Sequence, residues 1–138
     1  MPKARDVSNK AVKLAEKGRY DEALVLVNKA IKLDGDNADV WYNSGTILFK
    51  MCRYRDALNS FAQVTDIDPG FTEAWYNKGM ALVSLGKHLE AIHAFDKVLK
   101  IDPRDRRARE QLNRAQKNVM SSSSFSPRFK EGQTKLSK

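Results

Sequence analysis

The 138-residue sequence contains one cysteine, Cys52, and no apolar stretch that approaches the ~20 residues needed by a transmembrane helix. A single cysteine cannot form a disulfide within the chain, and the N-terminal segment lacks the apolar core of a secretory signal. These absences predict a protein of a reducing, cytoplasmic setting that does not associate with membranes.

Residues that carry catalysis or bind metal ions are also scarce. The two histidines, His88 and His93, lie five positions apart, where two rings on one helix do not share a face well. A zinc-binding helix places its histidines at i and i+4, or uses several cysteines. Glycine-rich phosphate loops are absent. The sequence therefore predicts a protein that is not an enzyme, with no cofactor and no metal site.

Positive charge is concentrated near the C-terminus. Residues 104–138 hold 10 of the 25 Lys and Arg residues but only 3 of the 17 Asp and Glu residues, whereas residues 1–103 are close to neutral. A basic end of this kind attracts nucleic acid, acidic lipids or acidic proteins, or serves only to keep the chain soluble. Both interpretations stay open at this point.

The sequence repeats itself at an interval of about 34 residues, in three copies that align without an insertion. Each copy contains two apolar stripes at helical spacing, separated by a short polar turn. A small residue occupies that turn, where Cys52 takes the place of a glycine. The recurring residues include Ala23, Ala57 and Ala91; Gly18, Cys52 and Gly86; Leu14, Leu48 and Leu82; Asp34, Asp68 and Asp102; Asn9, Asn43 and Asn77.

Small and large residues recur at paired positions. Gly45 and Gly79 are expected to let the two helices of a copy approach closely, while Phe61 and Phe95 fill the space beside them. The tryptophans Trp41 and Trp75 are also expected to point into the stack. If so, Trp75→Ala would destabilise the fold by about 3–5 kcal/mol.

The repeat period divides the chain into five segments. Three helix pairs are followed by a segment with one apolar face, which is predicted to be a solvating cap helix. The serine-rich basic end has no apolar period and is predicted to be a disordered tail. The segments are 4–37, 38–71 and 72–105 for the three repeats, 105–119 for the cap helix and 120–138 for the tail.

The second and third copies resemble the tetratricopeptide repeat family. The residues that carry this resemblance are Trp41-Tyr42-Asn43-Ser44-Gly45 with Leu48, Tyr54, Ala57, Phe61 and Pro69, and Trp75-Tyr76-Asn77-Lys78-Gly79 with Leu82, Gly86, Ala91, Phe95 and Pro103. The first copy is weaker, with Val7 for the tryptophan and Ala11 for the glycine. The resemblance implies an all-α fold, a right-handed superhelical solenoid of antiparallel helix pairs.

Such a solenoid has an inner face lined by the first helix of each pair. The period-matched asparagines on this face predict contacts to a peptide backbone, because an amide can donate and accept hydrogen bonds at once. The arrangement is similar to the asparagine ladder of the O-linked N-acetylglucosamine transferase repeats. Alternatively, the asparagines bridge neighbouring helices. The predicted peptide-binding residues are Asn9, Tyr42, Asn43, Phe49, Lys50, Tyr76, Asn77, Met80, Arg107 and Arg114.

Some members of the family are co-chaperones that clamp the acidic C-terminus of heat-shock proteins with lysine, arginine and asparagine. Of the matching positions here, only Asn43 agrees with the clamp, and Glu73 places a negative charge where a positive one is needed. The sequence therefore argues against that clamp. The other positions compared are Ser8, Val12 and Asn77.

The sequence as a whole favours a scaffold that binds an extended peptide segment of a partner protein. Two alternatives remain open. One is a nucleic-acid-associated protein anchored by the basic C-terminal helix and tail. The other is self-association through the first repeat, which has no N-terminal cap and could stack end to end with another copy.

Overall fold

The computed structural model describes residues 2–124, and this part of the chain is entirely helical apart from turns. Six helices form three antiparallel pairs, and a seventh packs on the last pair, so the predicted all-α solenoid of helix pairs is confirmed. The helices are α1 Ala4–Glu16, α2 Tyr20–Leu33, α3 Ala38–Lys50, α4 Tyr54–Ile67, α5 Thr72–Ser84, α6 His88–Ile101 and α7 Arg106–Ser124.

The seventh helix is longer than the predicted cap. It continues through Ser124, five residues beyond the expected end at 119 and into the segment predicted to be disordered. Serine has only a modest helix penalty, so Ser121 and its neighbours do not end a helix that is already formed. The rest of the predicted tail, residues 125–138, lies outside the described residues.

The close approach of paired helices depends on the glycines, as predicted. A Cβ atom built on Gly45 would lie 2.6 Å from the ring of Phe61, and one on Gly79 would lie 2.5 Å from the ring of Phe95. Both rings are fully buried. The side chain of Phe61 or Phe95 therefore occupies the space that any larger residue at the glycine would need.

The tryptophans differ from the prediction, because Trp41 and Trp75 are only partly buried. Each indole lies on the side of the second helices and donates its N–H to a loop carbonyl six residues earlier, at 2.7 Å in both repeats: Trp41 to Gly35 and Trp75 to Pro69. The indoles therefore fasten the loop between repeats and lie at the edge of the core.

The cap helix reproduces this interaction with a different residue. Arg109 stands where the period would place a third tryptophan, and its guanidinium donates to the carbonyl of Pro103 at 3.0 Å. The side chain of Asp105 accepts a hydrogen bond from the amide of Ala108 at 3.0 Å and caps the helix N-terminus. Helix α7 thus occupies the place of the first helix of a further repeat.

The turns between paired helices require a backbone that glycine adopts most readily. Gly18 and Gly86 have φ angles of 80° and 75°, and Cys52 has a φ of 62° at the same position of the second repeat. Left-handed backbone is unfavourable for a residue with a side chain. Cys52 is exposed, which agrees with its predicted role as a small turn residue.

One face of each first helix after α1 packs against the preceding repeat. In α3, α5 and α7 this face carries small or apolar buried residues such as Val40, Ala74 and Ala108. In α1 the matching positions are exposed and charged, and burying them against another copy would require desolvating those charges. The structure therefore does not favour end-to-end stacking through the first repeat. These positions in α1 are Asp6, Lys10, Lys13 and Lys17.

Within residues 2–124, none of the helices combines the length and the hydropathy that crossing a membrane would require.

Replacing Gly79 with alanine tests the close helix approach. Alanine favours the helix by up to about 1 kcal/mol, but its Cβ would clash with the buried Phe95 ring, so we expect Gly79→Ala to destabilise the fold by a net ~1–3 kcal/mol. Gly70→Ala is the matched control, because Asp36 and Arg104 stand at its position in the other repeats. Urea unfolding of both variants measures the difference. Equal stabilities would contradict the proposed role of the glycine.

A second comparison tests the position of the tryptophan. Phe95→Ala removes a fully buried ring and should cost about 3–5 kcal/mol of unfolding free energy. Trp75→Ala removes a partly buried ring and one hydrogen bond, and should cost about 2 kcal/mol. Guanidinium unfolding curves of the two variants give the ranking. A larger loss for Trp75→Ala would show that the tryptophan, and not the phenylalanine, anchors the repeat.

Candidate peptide-binding face of the first helices

The first helices α1, α3, α5 and α7 form one continuous surface, which we call the groove face. All ten residues predicted to bind a peptide lie on these helices and keep some solvent exposure. Four of them are exposed: Asn9, Lys50, Arg107 and Arg114. Six are partly buried: Tyr42, Asn43, Phe49, Tyr76, Asn77 and Met80.

The asparagine column forms bridges between repeats. The amide nitrogen of Asn43 donates to Ser8 Oγ at 2.9 Å and to Asn9 Oδ1 at 3.3 Å, which joins α3 to α1. The amide nitrogen of Asn77 donates to the hydroxyl of Tyr42 at 2.9 Å, which joins α5 to α3. Within residues 2–124, these bonds use the nitrogens and leave the amide oxygens of Asn43 and Asn77 without a protein partner.

The column continues into the cap helix. Gln111 stands one period after Asn77 and is partly buried, so a fourth side-chain amide extends the row. The predicted column contained only the three asparagines and did not include Gln111. The signal was present in the period, which places Gln111 in register with the asparagines.

The two tyrosines are partly committed to packing. The Tyr42 ring stacks on Phe71 with 5.0 Å between ring centroids and lies 5.9 Å from Phe61. The Tyr76 ring lies 5.8 Å from Phe95. Burial raises the pKa of Tyr42 above its ordinary value, and the nearby carboxylate of Glu73 raises it further. Tyr42 is therefore a neutral hydroxyl held in a fixed orientation.

Phe71 is the groove residue that sequence reasoning missed. It lies at the position just before α5 where Asn37 precedes α3 and Asp105 precedes α7. Those two residues accept hydrogen bonds from backbone amides at their helix starts, whereas Phe71 forms no side-chain cap and packs on Tyr42. In the sequence, an aromatic residue at a position that holds a capping residue in the other repeats was the signal that could have identified Phe71.

A column of charged residues also follows the period and is internally paired. Arg5 and Asp39 form an ion pair at 3.2 Å, and Arg107 binds Glu73 through two nitrogens at 2.6 and 3.2 Å. Hydrogen bonds to Glu73 and then to Asp105 raise the pKa of Arg107, and the bond from Arg107 lowers the pKa of Asp105. Exposed pairs of this kind contribute at most about 1 kcal/mol each, but they neutralise the groove face.

Arg107 was predicted to bind a peptide and is already occupied. Besides its bonds to Glu73 and Asp105, its guanidinium lies 4.4 Å from the centre of the Tyr76 ring. Lys50 and Arg114, in contrast, form no ion pair within the part of the chain that the structure describes. A ligand carboxylate would reach Lys50 or Arg114 more readily than Arg107.

The groove face is apolar near the C-terminal ends of α3 and α5. Phe49 packs edge-on against Tyr54, with 5.1 Å between ring centroids. Met80 and Val83 are partly buried against the core that surrounds Phe95. This end offers apolar contact area, while the centre offers hydrogen-bond acceptors.

Among the described residues, no three His, Cys, Asp or Glu side chains lie close enough to hold a metal ion. The basic residues of α7 do not form an interface with interleaved aromatic side chains, and two of them, Arg107 and Arg109, are held by Glu73 and the Pro103 carbonyl. The geometry gives no support to the nucleic-acid alternative.

Comparison with protein-family models gives two matches, both described as tetratricopeptide repeat, at residues 14–76 and 72–105. A comparison with curated proteins found no match. Among solved structures, the first tetratricopeptide domain of Spaghetti (RPAP3) bound to the HSP90 peptide SRMEEVD is 24% identical, with a TM-score of 0.81 over 86% of this chain and 94% of that one.

Two further structures show the same fold. The second such domain of human RPAP3, in complex with the HSP70 peptide SGPTIEEVD, is 25% identical, with a TM-score of 0.74 over 80% of this chain and 92% of that one. The Sgt2 domain from Aspergillus fumigatus is 14% identical, with a TM-score of 0.82 over 99% of this chain and 92% of that one. The two family matches together span residues 14–105, and the helix pairs coincide with the repeats. This chain belongs to the tetratricopeptide repeat family, a family of protein-interaction domains.

Proposed function

We propose that this protein is a scaffold that binds an extended peptide segment of a partner protein on the groove face. The observation that carries the proposal is the row of amide oxygens on Asn43 and Asn77, held in place by the bonds of their own nitrogens. Related domains of RPAP3 bound to HSP90 and HSP70 peptides support the coarser statement that such a surface binds peptides.

The bridging bonds make the asparagines better suited to recognition. Each side chain is fixed by a partner on the preceding helix, so little rotamer freedom remains to be lost when a ligand binds. The free oxygen of each amide then accepts a hydrogen bond from a peptide N–H. Packed helices lie about 8–10 Å apart and an extended chain advances ~3.3 Å per residue. Successive asparagines would therefore contact peptide residues that are about three positions apart.

The charges of the groove face favour a ligand whose central part is uncharged. Glu73 holds the guanidinium of Arg107 in a bidentate pair, so a ligand carboxylate must compete with Glu73 for that cation. Arg5 is held by Asp39 through a single hydrogen bond of 3.2 Å. We therefore propose recognition mainly through the peptide backbone and through apolar contacts at Phe49 and Met80. Acidic peptides of the type bound by the RPAP3 domains are expected to bind this face weakly.

Removing both bridging amides tests the proposal. We expect Asn43→Ala combined with Asn77→Ala to weaken binding of an extended peptide by ~1–3 kcal/mol, the scale of two or three lost neutral hydrogen bonds. The peptide is selected from a displayed random library and measured by calorimetry. Because the amides also bridge helices, the double variant should lose about 1–2 kcal/mol of stability and remain folded.

The matched control is Asn28→Ala combined with Asn59→Ala, which removes two exposed amides from the second helices. This control should bind the selected peptide as the parent does. If both double variants bind equally well, the asparagines act only as bridges and the ladder is wrong. If the groove variant unfolds, the single variant Asn77→Ala, measured at low temperature, gives the answer.

Freeing Arg107 tests the proposed discrimination against acidic ligands. Glu73→Gln removes the competing carboxylate, so we expect the affinity for the peptide SRMEEVD to rise by about 1 kcal/mol or more. Glu22→Gln, which removes a paired carboxylate from the second helix of the first repeat, is the control and should leave the affinity unchanged. Fluorescence anisotropy of a labelled peptide measures both. Tight binding by the parent that Glu73→Gln does not improve would contradict the role of Glu73.

A further inference from the structure

A crevice on the opposite surface, between the second helices α4 and α6, is built differently from its counterpart one repeat earlier. It lies over α5, has a volume of about 220 Å³ and opens to solvent. Its floor is apolar and its edge carries charged and imidazole groups. The lining residues are Leu58, Ala62, Lys78, Leu82, Glu90, His93 and Ala94.

Positive charge is concentrated around the indole of Trp75, which adjoins the edge of the crevice formed by Lys78 and His93. The ammonium groups of Lys78 and Lys97 lie 4.9 and 5.7 Å from the centre of the Trp75 ring, and the His93 ring meets it edge-on at 6.5 Å. Within residues 2–124, neither ammonium group forms an ion pair, and Glu90 is paired with Lys87 at 3.9 Å. Two cations therefore share one aromatic ring without a carboxylate.

The preceding repeat provides an internal comparison. At the positions of Lys78, His93 and Lys97 it has uncharged residues, although Trp41 makes the same loop hydrogen bond as Trp75. The loop bond does not need the cations. The substituted positions in the second repeat are Ser44, Asn59 and Gln63.

The floor of the crevice, in contrast, is less polar than that of the earlier crevice. Asn28 and Ser60 of the earlier crevice correspond to Ala62 and Ala94, and the hydrogen bond of 3.2 Å between Ser44 and Ser60 is lost with them. One turn before His93, Leu89 leaves 72% of its surface exposed beside this edge. The later crevice thus has a more apolar floor, and its cations lie around the indole, whereas those of the earlier crevice are Lys32 and Arg53.

From this pairing we infer that the crevice edged by Lys78 and His93, together with the adjoining Trp75 ring and Lys97, is a second docking site, which takes an acidic segment of a partner protein carrying one large apolar residue. The volume of 220 Å³ is below the ~300–1,000 Å³ typical of small-molecule sites and fits a single side chain. Carboxylates on either side of that residue would pair with the ammonium groups of Lys78 and Lys97. The site is separate from the groove face and does not depend on the proposed function.

A displayed library tests the inference without knowledge of the partner. Random 12-residue peptides, held at both ends so that no free C-terminus is present, are selected on the protein and counter-selected on the variant Lys78→Ser, His93→Asn, Lys97→Gln. This variant carries the residues of the second repeat, which already support the same tryptophan contact. We expect the surviving peptides to contain Asp or Glu on both sides of a large apolar residue.

Binding of a synthesised survivor is then located by NMR. The protein has two tryptophans, so its two indole N–H signals distinguish the crevices, and the side-chain amide signals of Asn43 and Asn77 report on the groove face. We expect the Trp75 signal to shift and the Trp41 signal to stay. The triple variant should bind roughly tenfold or more weakly, the scale of losing two or three exposed charge contacts, with an unchanged melting temperature.

The reverse transfer is the complementary test. Ser44→Lys, Asn59→His and Gln63→Lys together place the basic edge on the second repeat and should produce a shift of the Trp41 signal with the same peptide. If this variant does not fold, the single variant Lys78→Ser is measured instead, and we expect it to bind the peptide several-fold more weakly than the parent. Survivors without acidic residues, shifts confined to Asn43 and Asn77, or equal affinity for parent and triple variant would each overturn the inference.

Discussion

In every repeat, a glycine or alanine on the first helix contacts a larger side chain on the second helix. This contact sets the distance between the two helices. In the second and third repeats Gly45 and Gly79 are covered by the rings of Phe61 and Phe95. In the first repeat the same two positions hold Ala11 and Val27, both fully buried. A larger residue on one helix is matched by a smaller one on the other, so the combined volume fits one helix spacing. Because this spacing is shared, successive repeats stack in register.

The register gives the two surfaces different properties. On the groove face, period-matched side chains reach each other and form bonds between repeats, such as Asn43 to Ser8 and Arg107 to Glu73. These bonds hold the side chains in place, and under the proposed function they would lower the entropy lost when a peptide binds. On the opposite face, successive second helices leave crevices between them, and residues there change without disturbing the stack. The side chains of the groove face are therefore held in fixed positions. On the surface of the second helices, residues can differ from one repeat to the next, as they do around Trp75.

The ends of the solenoid are solvated by different means. At the N-terminal end, α1 presents charged residues to solvent at positions where the other first helices bury small or apolar ones. At the C-terminal end, α7 buries Ala108 and Ala115 against the last pair and presents polar residues on its outer side. At both ends these side chains keep contact with water, because burying charged groups without partners is unfavourable.

The sequence by itself determined the repeats, the helix pairs, the pairing of glycine with phenylalanine and the members of each column, because a fixed period puts equivalent residues on equivalent faces. It did not determine which atoms of those residues stay free. Asn43 bridges through its nitrogen and Arg107 is taken by Glu73, since residues one period apart come within hydrogen-bond reach only once neighbouring helices are packed. The partial burial of Trp75 was likewise decided by tertiary structure, because its indole lies at the edge of the core and donates its N–H to the loop carbonyl of Pro69.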